Sequence, residues 1–122
     1  MPKVLIADDE PHIRLLLEQT LEDLEDEGLE IIVAENGAEA LKAIKENKPD
    51  MVFLDVMMPK MNGFEVCSEV KNNLKIQGVY IILLTAKGQE IDKLKGMESG
   101  ADMYMTKPFN PDDIINKVRE IL

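Results

Sequence analysis

Four places in this 122-residue chain carry groups able to do chemistry, and each stands at the end of an apolar run. Asp8-Asp9 follows KVLIA, Asp55 closes MVFLD, Thr85 closes VYIILLT, and Lys107-Pro108 follows the run that begins at Asp102. Singly, each has an ordinary reading: Asp9 a helix cap, Asp55 a turn residue before Met58-Pro59, Thr85 a strand residue, Lys107 a solvated charge. Gathered together, three carboxylates repel one another unless cations offset them. A hard divalent cation plus Lys107 would balance that charge. Mg²⁺, with Mn²⁺ able to substitute, suits a site offering one or two direct carboxylates beside waters and phosphate oxygens. A carboxylate shielded in this way can attack phosphorus and form an aspartyl phosphate. Phosphoryl transfer needs positioning and charge neutralisation, and the Lys107 ammonium and Thr85 hydroxyl can contribute both.

These groups meet only if the elements between them lead to one edge. The apolar runs at about 3–7, 29–34, 51–55, 79–85 and, more weakly, 102–106 predict five buried strands. Segments 11–27, 38–47, 63–73, 89–99 and 111–122 have apolar residues at helical spacing, such as Ile13, Leu17, Leu21 and Leu24 in the first. Asp9 with Pro11 is expected to open the first helix and Asn110 with Pro111 the last, while Gly28 and Gly100 follow helix ends. Strands alternating with helices predict an α/β fold, a mainly parallel sheet covered on both faces by right-handed crossovers. Ligands of such sheets bind beyond the carboxyl ends of the strands, where Asp8, Asp9, Asp55, Thr85 and Lys107 stand.

With 45% hydrophobic and 31% charged residues, the chain is expected to be a single domain spanning 1–122 that buries its own core. A formal net charge of -10 repels phosphate backbones and anionic lipid, so neither direct nucleic-acid binding nor membrane binding is expected. The single cysteine, Cys67, cannot form an internal disulfide. No basic n-region opens the chain and no apolar stretch approaches the roughly 20 residues of a membrane helix, which together predict a cytoplasmic location. Cys67 and most of the eight methionines read as core filler, and His12 as a surface residue.

Through the motifs VLIADDE, MVFLDVMMPKMNGFE, ILLTA and GADMYMTKPF, over essentially all of 3–122, the sequence resembles the response regulator receiver domains of two-component signalling. The resemblance implies a flavodoxin-like (βα)5 fold with strand order 2-1-3-4-5 and helices on both faces. It implies Asp55 as the phosphoacceptor, carried as 4-aspartylphosphate, with Asp9 and Asp55 as metal ligands. Asp8 would act largely through metal-bound water, and the Met57 backbone carbonyl would be a further ligand. Thr85 and Lys107 would contact the phosphoryl group. A cis Lys107-Pro108 bond is implied, and Gly63 would permit the turn into the third helix.

On the same resemblance, Thr85 moves toward the phosphoryl group and Tyr104 rotates into the space vacated. That relays the change through the face of the fourth helix, fifth strand and last helix. The donor would be a phosphohistidine on a sensor histidine kinase or phosphotransfer protein, docking on Leu15, Leu16 and Pro108. Leu15 and Leu16 lie off the first helix's apolar stripe, so one or both should be exposed. The recipient would be a downstream effector or output domain, and a phosphorylation-dependent homodimer is a further implied form, although Met103 stands where an acidic residue is common. The chain would be a signalling domain assisting its own phosphorylation and dephosphorylation, either stand-alone or the front of a longer regulator. Met57 and Lys87 depart from the chemotaxis pattern and are expected to obstruct water, slowing loss of the phosphoryl group.

Two other classes fit less well. A dehalogenase-type phosphatase needs a second Asp two residues after its nucleophile, where Met57 stands. A flavodoxin cradles the FMN phosphate in a loop that Asp8-Asp9-Glu10 would repel, and no glycine-rich dinucleotide loop occurs.

Overall fold

The apolar runs become strands. In the computed structural model, which describes residues 2–86 and 98–122, five strands form one parallel sheet: β1 (Lys3–Ala7), β2 (Glu30–Ala34), β3 (Met51–Asp55), β4 (Tyr80–Ala86) and β5 (Met103–Lys107). Their order is β2-β1-β3-β4-β5, the one implied by the resemblance. Burial follows position in the sheet. β3, apolar to its last residue, is wholly buried in the centre, whereas β2 and β5 hold the edges and show exposed positions.

Among the described residues, the helices whose full extent is seen are α1 (Pro11–Thr20), α2 (Glu22–Asp26), α3 (Gly37–Asn47), α4 (Gly63–Ser68) and α5 (Pro111–Ile121). Most of the expected helix 89–99 lies outside the described residues. The expected helix 11–27 is two helices, because Leu21 leaves helical geometry at φ -96 and ψ 4. Just before it, the Thr20 hydroxyl donates back to the Leu16 carbonyl at 2.7 Å. The stripe survives the break, with Leu17, Leu21 and Leu24 all buried. The expected helix 63–73 is α4 followed by a π-turn over Glu69–Asn73, closed by Leu74 N–H donating to the Glu69 carbonyl at 2.7 Å.

Asp9 does not cap α1. Glu10 is the N-cap residue, and its N–H donates to Asp8 Oδ1 at 2.9 Å, so the acid that organises this turn is the one before Asp9. Asn110 caps α5 as expected, Asn36 caps α3, and Asn62 with Glu65 forms a capping box on α4.

Side chains alternate across the strands and so divide the interior into two cores. Val4, Ile6, Phe53 and Leu84 pack with Leu17 of α1, Leu24 of α2, and Ile114 and Val118 of α5. Leu5, Val52, Leu54 and Leu83 pack on the opposite face with Ala40 and Ile44 of α3, Val66 and Cys67 of α4, and Val70 of the π-turn. Burial pushes the Cys67 thiol pKa up, in keeping with a filler role. Met51 and Met58 are buried too, but Met57 is exposed. At the far end from the site, Lys71 Nζ sits 2.9 Å from Asp102 Oδ2, which also accepts from Ile81 N–H at 2.8 Å, fixing the starts of β4 and β5. No helix among the described residues is long and apolar enough to cross a membrane.

Candidate functional site

Asp8 N–H donates to the Ala34 carbonyl at 3.2 Å, so the chain keeps its strand direction one residue beyond β1. Ala7 and Leu54 are partners in adjacent strands, and their successors Asp8 and Asp55 therefore emerge side by side. Both are sealed in, Asp8 at 0% exposure and Asp55 at 4%. One carboxylate oxygen from each of Asp8, Asp9, Glu10 and Asp55 lies within 4.8 Å of the others.

Lys107, the last residue of β5, reaches across the end of β4 into this group. Its Nζ is 2.8 Å from Asp8 Oδ2, 3.4 Å from Asp55 Oδ1 and 3.5 Å from Glu10 Oε1. Asp55 Oδ1 also accepts from Met57 N–H at 3.2 Å. Burial pushes the Asp55 carboxyl up to about 7; the charge of Asp8 adds to this, while Lys107 pulls it back. Burial disfavours the Lys107 ammonium, but its hydrogen bond to Asp8 and the charges of Asp55, Asp8 and Glu10 outweigh that and raise its pKa. Of the four carboxylates, Asp8, Glu10 and Asp55 thus share one ammonium. The unbalanced negative charge, presented entirely by hard oxygen atoms and partly out of water, is chemistry that a divalent cation such as Mg²⁺ fits.

Thr85 follows Leu84, the sheet partner of Asp55, and pairs with Thr106. Tyr104, two residues before Thr106, shares that face and packs half-buried against the core beneath it. Lys87 lies outside the described residues. Met57 and Pro108 are exposed beside the site, and the Lys107-Pro108 bond is cis. Leu15 and Leu16 are both exposed, at 53% and 38%. His12 is at the surface, 3.4 Å from Glu10.

Gly63 serves differently from the turn role expected of it. A Cβ there would come 2.5 Å from the Asp55 carbonyl oxygen and 2.9 Å from Val56 Cα, so close approach, not an unusual φ, excludes a side chain. Sequence reasoning did not single out Glu10 or Arg14. Glu10 is the third acid of the Asp8-Asp9-Glu10 run, and Arg14 lies three residues before Leu17, on the flank of the buried stripe; those were the available signals.

The model of the response regulator receiver domain matches residues 4–119. The chain belongs to this family. A receiver domain of two-component response regulators is a signalling domain, and its relatives agree in sequence and in fold. The alkaline phosphatase synthesis transcriptional regulatory protein PhoP of Bacillus subtilis is 45% identical over 98% of the chain and 48% of its own length. The DNA-binding response regulator MtrA of Mycolicibacterium smegmatis is 40% identical over 96% of the chain and 49% of its own length. The chain thus spans about half the length of the curated relatives it matches. Among solved structures, the response regulator TrrA of Thermotoga maritima, in complex with Mg(2+)-BeF, superposes with a TM-score of 0.82 at 43% identity, covering 100% of both chains. A response regulator from Chloroflexus aurantiacus gives 0.85 at 35% identity, over 99% of this chain and 98% of that one.

Proposed function

We propose that this receiver domain accepts a phosphoryl group on Asp55 from a phosphohistidine of a sensor histidine kinase or phosphotransfer protein. The observation that carries the reading is the Lys107 ammonium bridging buried Asp8 and Asp55 within a four-carboxylate cluster. Asp8, Asp9, Asp55 and the Met57 carbonyl would hold Mg²⁺, which when bound neutralises charge on phosphoryl oxygens. An Asp55 carboxylate oxygen forms the new bond to phosphorus, the bond from phosphorus to the donor imidazole nitrogen breaks, and its electron pair leaves with the imidazole. Lys107 releases Asp8 and pairs with a phosphoryl oxygen, and the Thr85 hydroxyl donates to another. Hydrolysis returns Asp55 to a carboxylate, so the domain assists both halves of its own cycle.

Tyr104 shares a sheet face with Thr85, which supports the Thr85-Tyr104 pair as the relay to the β5–α5 surface. Exposed Leu15, Leu16 and Pro108 beside the site suit the docking of donor helices. The partner downstream is an effector or output domain, the single domain 1–122 acts in the cytoplasm, and exposed Met57 slows the approach of water to the acyl phosphate.

Mass spectrometry of the chain after incubation with acetyl phosphate and Mg²⁺ tests the reading. A phosphoryl adduct is expected on the parent chain and not on Asp55→Asn; an adduct that persists in Asp55→Asn overturns it. Followed in time, the adduct should decay faster in Met57→Asn, and equal lifetimes would remove the role given to Met57.

A further inference from the structure

Arg14 stands in the first turn of α1, with its side chain only 15% exposed. Its Nη1 donates to the backbone carbonyl of Asp8 at 2.6 Å, and its Nη2 lies 3.7 Å from Glu35 Oε1. It thus holds the Asp8-Asp9 peptide and reaches an acid outside the four-carboxylate cluster. Three segments meet through this one side chain: the start of α1, the turn after β1 and the turn after β2. The Glu35 end is itself tied into α3, because Glu35 N–H donates to Glu39 Oε1 at 3.3 Å.

Asp8 has four polar anchors. Its N–H is held by the Ala34 carbonyl, its carbonyl by Arg14, its Oδ1 by Glu10 N–H and its Oδ2 by Lys107. On the function proposed above, on which this inference rests, Lys107 leaves Asp8 for the phosphoryl group. The Arg14 contact is to the backbone carbonyl of Asp8 and leaves both of its carboxylate oxygens to other partners. We propose that Arg14 is a positioning residue for the cation site, holding the Asp8-Asp9 peptide so that their carboxylates stay converged when Lys107 departs.

Two effects of the guanidinium oppose each other. Its positive charge repels a divalent cation, while its hydrogen bond fixes the ligand-bearing turn. Glu35 offsets part of the charge and the hydrogen bond is short, so fixing the turn dominates and removal of the side chain weakens cation binding.

Calorimetric titration of the full chain with Mg²⁺ alone tests this without any phosphodonor, with circular dichroism melts establishing that each variant is folded. Arg14→Ala should bind Mg²⁺ about tenfold more weakly, the low end for loss of an outer hydrogen bond to a metal ligand, and Arg14→Lys, with the charge but not the two-ended reach, should fall between. At saturating Mg²⁺, acetyl phosphate should still phosphorylate both variants. Unchanged or tighter Mg²⁺ binding by folded Arg14→Ala overturns the proposal. If Arg14→Ala does not fold, Arg14→Lys decides by the same criterion. A parent chain that binds no Mg²⁺ would instead overturn the function on which the inference stands.

Discussion

Asp55 is held in a setting that resists its own charge, with burial and Asp8 pushing its carboxyl to about 7 against an ordinary 3.8. In the unfolded chain the same carboxyl ionises at its ordinary value. The folded, metal-free chain therefore holds a proton on Asp55 between these limits, and the contribution of Asp55 to stability should fall as pH rises from about 4 to about 7 and then level off. At about 1.4 kcal/mol per pKa unit, the total is a few kcal/mol. Asp55→Asn removes the group, so urea unfolding in EDTA, followed by circular dichroism, should give a flatter profile across this range for the variant. Parallel profiles would show that Asp55 is not the source. Asp8, Asp55, Thr85 and Lys107 were legible in the sequence because each stands at the end of an apolar run, and parallel strands deliver such positions to one edge. Glu10 and Arg14 were not. Their contacts depend on how the turn after β1 enters α1, which neighbouring residue types do not determine.

At the scale of elements, the segment between β3 and α4 is gripped from two sides. Gly63 lies against the Asp55 carbonyl, and an added Cβ on Gly37, at the start of α3, would come 1.9 Å from the Met61 carbonyl oxygen. That obstacle is backbone, which cannot rotate away. Gly37→Ala should therefore displace the 59–62 turn and cost about 1–3 kcal/mol in denaturant unfolding, as overpacking of a tight contact does. An unchanged midpoint would mean the turn yields freely. Neither contact could be read in advance, since Asn36-Gly37 and Asn62-Gly63 both look like ordinary helix starts. The break at Leu21 and the π-turn after α4 were hidden for a related reason. Apolar spacing reports which face is buried, and Leu17, Leu21 and Leu24 keep one face across the interruption.

For the molecule as a whole, the alternation of elements gave a parallel sheet with two covered faces, but the order β2-β1-β3-β4-β5 followed from the family resemblance. Nothing in the spacing distinguishes which strand lies beside β1. Among the described residues the sheet separates two cores, with Ile44 in one and Ile114 in the other. Ile44→Val and Ile114→Val should each cost about 0.5–1.5 kcal/mol and together cost their sum to within about 0.5 kcal/mol. A larger deviation in urea unfolding of the double variant would mean that the strands carry strain from one face to the other. This separation also has a consequence over evolutionary time. The core beneath α1 and α5 and the core beneath α3 and α4 can accept changes by independent routes, so a lineage can reshape one side of the sheet without repacking the other.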